Sequence, residues 1–102
     1  MRARLHTIDT TPEGYEAGLA LVRDELLPWA RESSGFCGAI GLVDPETGKA
    51  LVLTLWTDDA ARAASAGAAE RLSGLAADAS GARKLSIQNF DVSVFDVPGP
   101  AD

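Results

Sequence analysis

Residues 36–56 read FCGAIGLVDPETGKALVLTLW, and two features of this stretch decide the fold. Two short apolar runs, FCGAIGLVD and KALVLTLW, flank a Gly-containing PETG, which predicts a β-hairpin. Neither run alternates cleanly between apolar and polar. Leu51, Leu53 and Leu55 point one way, Val52 and Trp56 the other, while Ile40 and Leu42 oppose Ala39 and Val43. An antiparallel sheet with one wet face should alternate. Both faces of this sheet are therefore expected to be covered, with the parity that faces each cover left open. Gly38 and Gly41 weaken the first run and leave room for a helix or a ligand to approach.

Working outward, Met1 to Ile8 reads as a first strand. Thr11 is a candidate N-cap, with Pro12 at the first helical position and Glu13 in the first turn. Tyr15, Leu19, Val22, Leu26 and Trp29 then follow at steps of four, three, four and three, one face of an α-helix. Pro28 predicts a bend or an end near Leu27, and Gly35 punctuates the exit. After Trp56, Thr57 is the expected cap for a helix from Asp58 to about Ala79. Its inner stripe is Ala61, Ala64, Ala68, Leu72, Leu75 and Ala79, and a break is expected at Gly67. The run from Lys84 to Val97 reads as a last strand, in which a change of parity predicts a bulge near Gln88 and Asn89.

The order β-α-β-β-α-β predicts an α+β, ferredoxin-like antiparallel sheet with both helices on one face. Two helices cannot cover both faces, so a second copy of the chain is the economical cover. With 102 residues the chain allows one domain, read as 1–97 with a disordered tail at 98–102. A chain of this size buries only about two-thirds of its unfolded surface, which also favours a partner subunit.

Composition excludes several classes. A net charge of −6 argues against nucleic acid and against an anionic membrane surface. KALVLTLW has no aromatic-rich basic signature of an RNA-recognition strand. No apolar segment follows the early arginines, no run approaches the roughly 18 residues of a membrane span, and Cys37 has no internal disulfide partner, so a reducing cytoplasm is expected. One His and one Cys make no metal pattern. There is no phosphate loop and no nucleophile elbow.

Among chemistry-bearing residues, Trp56 is either a core plug or the flat wall of a pocket whose indole N–H orients a ligand atom. His6 is the one side chain suited to proton transfer near neutrality, unless it is a solvated strand or interface residue. Cys37 reads as a small buried hydrophobe.

The segment SSGFCGAIGLVDPETGKALVLTLWTDDAARAAS, residues 33–65, resembles the centre of antibiotic-biosynthesis-monooxygenase-like domains of the dimeric α/β-barrel superfamily. The likeness lies in the Gly-Phe-x-Gly opening of the second strand, the DPETGK hairpin, and a third strand ending in Trp before an acidic-capped helix. In looser form it extends over nearly the whole chain. The resemblance implies a homodimer with facing sheets, pairing into a dimeric α/β barrel. It also implies a small apolar pocket between sheet and helices, with Tyr15, Leu19, Val22 and Leu26 as ligand-facing residues. Some members of the family oxidise aromatic polyketide quinols with dioxygen and no cofactor, others degrade haem, and many have no assigned activity; read as a cofactor-independent monooxygenase, the chain would act on an aromatic hydroxy compound with His6 and Trp56 catalytic and neither cofactor nor metal. A haem-degrading branch is disfavoured: its first-strand Asn falls near His6 or Thr7, and the helix after Trp56 has no His. A non-catalytic small-molecule-binding or stress-associated dimer is the alternative.

Overall fold

The hairpin closes through Asp44, which accepts from the Gly48 N–H at 2.8 Å through its carbonyl and from the Glu46 N–H at 3.0 Å through its carboxylate. In the computed structural model, which describes residues 1–81 and 84–98, this turn joins β2 (Phe36–Asp44) to β3 (Lys49–Trp56). Gly48 has φ +82°, and a Cβ there would lie 2.3 Å from the Thr11 carbonyl carbon. The hairpin tip thus rests against the connection that leaves the first strand.

That strand, β1 (Arg2–Asp9), pairs antiparallel with β3 and also with β4 (Lys84–Asp91). The described residues form one four-stranded sheet in the order β2-β3-β1-β4, the ferredoxin-like arrangement. The register sets Arg4 beside Thr54, His6 beside Val52 and Ile8 beside Ala50. These six residues share the face on which the helices pack, and all are buried. Leu51, Leu53, Ile40 and Leu42 lie on the other face, where Ile40 and Leu42 are 46% and 57% exposed.

The first helical arm consists of α1 (Tyr15–Leu21), a π-helical turn at Val22–Leu26, and α2 (Leu27–Glu32). Pro28 does not end the arm. It sits in the first turn of α2, where a missing N–H is harmless, and the wider π turn before it absorbs the change of register. Val22 and Leu26, on that turn, pack with Ile8, Ala50 and Val52 as the apolar core. The helix begins at Tyr15 and not at Pro12. Thr11 caps only the preceding turn, accepting from the Gly14 N–H at 3.1 Å.

The second arm is α3 (Asp59–Ala64) followed by α4 (Ala66–Ser80). Its cap is Asp58 and not Thr57: the Asp58 carboxylate accepts from the Ala61 N–H at 2.8 Å. The break falls at Ser65 and not at Gly67. In a continuous helix the Arg62 carbonyl would take the Ala66 N–H. Here it accepts from Arg4 Nη2 at 2.6 Å and from the Ser65 hydroxyl at 2.8 Å. A side chain from the sheet has captured the helical acceptor.

Three further expectations are corrected. β4 keeps an unbroken register with β1 up to Asp91 and carries no bulge at Gln88–Asn89. Its change of parity is a change of face within one register: Ile87 lies beside His6 on the inner face and Phe90 beside Ala3 on the outer one, and strand pairing ends at Asp91, before Val92 and Val94. The irregularity lies instead in β2, between Phe36 and Gly38. That bulge turns Cys37 out, so this residue is exposed and not part of the core. The side chains of Tyr15 and Ala79, and the tail beyond Pro98, lie outside the described residues. Among the described residues, no helix is long and apolar enough to cross a membrane.

Gly48→Ala is expected to cost roughly 1–3 kcal/mol from the left-handed backbone alone, with more from overlap with Thr11. Gly67→Ala, where a Cβ meets nothing within 4 Å, should stabilise by about 0.4–1 kcal/mol. Urea denaturation of the two variants checks both signs.

Candidate functional site

Trp56 ends β3 on the helix-facing side, where it is completely buried. Its indole N–H donates to Thr54 Oγ1 at 3.0 Å, two residues back on the same face of the strand. The ring meets Phe36 edge-on at a centroid distance of 5.5 Å and Trp29 at 6.3 Å, tilted by 53°. These are favourable geometries for aromatic pairs. The Arg4 guanidinium carbon lies 5.6 Å from the Trp56 ring centroid, within cation–π range.

Arg4 is only 2% exposed. It donates to Ser65 Oγ at 3.1 Å and to the Arg62 carbonyl at 2.6 Å. Among the described residues no carboxylate lies within ion-pair distance of it. The other two arginines nearby differ. Arg2 pairs with Asp91 and Asp59, and Arg62 reaches Asp59 at 2.8 Å. The hydrogen bond from Arg62 is the main reason the Asp59 carboxyl is held below its ordinary range. Burial, followed by the nearby Arg62 charge, lowers the pKa of Arg4, yet a guanidinium stays protonated throughout the accessible pH range.

Next to this aromatic and cationic cluster, which reaches it through Trp29 and Ser65, lies a groove of about 550 Å³ between the end of α2 and the α3–α4 arm. Trp29, Ser33 and Gly35 line one side, and Ala60, Ala61, Ala64, Ser65 and Ala68 the other. The groove exists because the facing helix offers alanines where a bulkier stripe would fill the space. Gly35 holds its corner: the Gly35 carbonyl accepts from the Thr57 N–H at 2.8 Å, and a Cβ at Gly35 would meet Ala61 Cβ at 2.5 Å.

The structure brings only some of the expected site residues toward this groove. Trp56 stands behind its wall, in contact with the lining residue Trp29. His6 sits one position further along the inner face than Arg4, 2% exposed and outside the groove lining. Val22 and Leu26 belong to the core cluster. The gap shared by Leu19, Val22, Ile8 and Val52 has no room for a water molecule. The side chain of Tyr15 is outside the described residues. Sequence reasoning missed Arg4 and Ser65 and read Trp29, on the helical stripe, as core rather than pocket. The signal for Arg4 was its strand parity, shared with His6 and Ile8. Among the described residues, no group of three His, Cys, Asp or Glu is placed to hold a metal ion.

Burial, reinforced by the Arg4 charge, lowers the pKa of His6 from 6.5 to about 4. The folded state thus refuses a proton that the unfolded chain accepts near pH 6.5. Stability from this source is whole above that pH and is lost as pH falls toward 4. The gap corresponds to roughly 3 kcal/mol. Urea denaturation at pH 7 and pH 4 should show this loss in the native chain and a correspondingly smaller one in His6→Gln. Equal losses in the two would mean that His6 is not held neutral by the fold.

No protein-family model matches the chain, and no curated protein matches it in sequence. Solved structures do match in fold. A Streptomyces coelicolor monooxygenase in complex with nanaomycin D superposes with a TM-score of 0.75 at 16% identity, covering 96% of this chain and 92% of that one. An antibiotic biosynthesis monooxygenase gives 0.70 at 21% identity, over 92% of this chain and all (100%) of that one. SnoaB, a cofactor-independent oxygenase from Streptomyces nogalater, gives 0.69 at 11% identity, over 92% and 94%. The sheet order, the two helical arms and these superpositions together show that this chain has the antibiotic-biosynthesis-monooxygenase-like fold.

Proposed function

We propose that the chain is a homodimeric oxygenase that binds a planar aromatic hydroxy compound in the groove between α2 and the α3–α4 arm. One observation carries this reading: a groove of about 550 Å³, open on one side and backed by a cluster of tilted and edge-on aromatic rings, in a fold shared with oxygenases. The volume falls within the range of small-molecule sites. The reaction that fits is oxidation of an ionised aromatic hydroxy compound by dioxygen. A ring CH2 becomes C=O, and the second oxygen atom leaves as water.

In this reading Trp56 contributes shape and rigidity. Its N–H is already used by Thr54, so it holds Trp29 in place as the ligand-facing wall. Val22 and Leu26 act indirectly, by packing the arm that carries Trp29. His6 is enclosed and neutral, which favours proton release from the substrate to solvent through the open side of the groove.

The dimer rests on the open sheet face. Ile40, Leu42 and Phe90 are 46%, 57% and 45% exposed, beside half-buried Leu51 and Leu53. Covering each large apolar side chain contributes roughly 1.5–3 kcal/mol, so one such face on each of two subunits can exceed the cost of association. Val52, by contrast, faces the helices and is not available to a partner.

Two experiments test the reading. Ala64→Leu places a bulky side chain in the groove and should change stability by no more than about 0.5 kcal/mol. It should abolish both tryptophan quenching by 1-naphthol and oxygen uptake with a hydroxyanthrone, whose central ring carries the CH2 that is oxidised. Quenching that survives in Ala64→Leu would place the ligand elsewhere. Separately, Ile40→Asp combined with Leu42→Asp should give a folded monomer in analytical ultracentrifugation where the native chain sediments as a dimer. A native chain that remains monomeric at micromolar concentration would remove the homodimer.

A further inference from the structure

The groove wall holds one polar arrangement that packing alone does not require. Ser65 lines the groove and is 7% exposed. Its hydroxyl accepts from Arg4 Nη1 and donates to the Arg62 carbonyl. That carbonyl also receives Arg4 Nη2 at 2.6 Å. The Ser65 proton can therefore leave the carbonyl without stranding it, because the guanidinium continues to satisfy the same oxygen. A serine O–H rotates freely to suit its partners.

Two charged residues bear on this wall: Asp58, which also lines the groove but whose carboxylate is engaged as the α3 cap by the Ala61 N–H, and Arg4. Arg4 carries a full positive charge in a buried position, with no carboxylate within ion-pair distance among the described residues. A buried cation without an anion is unfavourable unless something else answers its field. The Trp56 face and two neutral oxygens answer part of it. The rest acts on the adjacent groove, through a hydroxyl that the guanidinium polarises. A donor backed by a cation and held in a low-dielectric site suits an ionised oxygen.

We infer that Ser65 on the groove wall and Arg4 behind it form an anion-recognising pair, in which the Ser65 hydroxyl turns from the Arg62 carbonyl to donate to a phenolate or enolate oxygen of the ligand. Ser65 makes the contact and Arg4 is a positioning residue acting through it. The inference rests on the groove reading above and adds the groups that hold the ionised oxygen of what binds there. The ligand is bound as an anion, and the site lowers the pKa of the group that Ser65 meets. No covalent step is involved.

The test uses 4-nitrophenol, whose ionisation is read by its colour, and nitrobenzene as a neutral analogue of similar shape. The native chain should bind both, by tryptophan quenching, and lower the apparent pKa of bound 4-nitrophenol by about one unit, a roughly tenfold preference for the phenolate. Ser65→Ala should remove that shift and leave nitrobenzene affinity unchanged. Arg4→Lys, which keeps the charge but not the fork of donors, should retain part of the shift. Far-UV circular dichroism and urea denaturation confirm that both variants fold. If both probes bind the native chain with no shift in 4-nitrophenol ionisation, or Ser65→Ala leaves the shift intact, the anion-recognising pair is overturned while the groove stands. If neither probe binds, the groove reading fails and takes this inference with it.

Discussion

The buried guanidinium of Arg4 is the constraint around which the helix-facing side of this protein is arranged. It enters from the middle of the sheet, at a depth where a charge is costly. Its solvation is replaced by the Arg62 carbonyl, the Ser65 hydroxyl and the face of Trp56. Supplying those partners has a consequence for the backbone. The Arg62 carbonyl takes the guanidinium, the Ser65 hydroxyl and, in a tighter turn, the Ser65 N–H at 3.2 Å, and the second arm breaks at Ser65. That break divides α3 from α4 and places the alanines of both segments along one side of a groove.

Trp56 completes the same arrangement from the neighbouring strand. An aromatic side chain at the end of a strand is commonly a plug, and this one does fill the junction between sheet and helices. It also ties the junction together. Thr54 takes its N–H, Phe36 meets its edge, and Trp29 leans against it from α2. Trp29 in turn forms part of the groove wall. Gly35 lets the chain pass close to Ala61 between these elements, where any side chain would push the second arm away.

The two faces of the sheet serve different ends. The inner face mixes apolar residues with Arg4, His6, Thr10 and Thr54, all buried, and so carries the polar chemistry of the molecule. The outer face is largely aliphatic and has no cover of its own over Ile40 and Leu42. The structure thus separates a polar, chemically specific interior from an aliphatic surface suited to non-directional burial.

Local pattern determined most of the element order. Residues 36–56 announced the hairpin, and the doubly apolar strands announced that both sheet faces need cover, because the period of two in a strand assigns every side chain to one face. The stripe from Tyr15 to Trp29 announced the first arm, and the acidic cap announced the second. Tertiary contacts decided the rest. Pro28 was tolerated because it falls in the first turn of α2, directly after the π turn, and Cys37 was turned outward by a bulge that composition does not mark. Gly67 stayed helical while Ser65 broke, because the competing donor comes from Arg4, 61 residues away in sequence. Arg4 itself was passed over because arginine is ordinarily a surface residue. Its burial follows from strand register and from the gap left by alanines on a distant helix, and neither can be read from its neighbours in the chain.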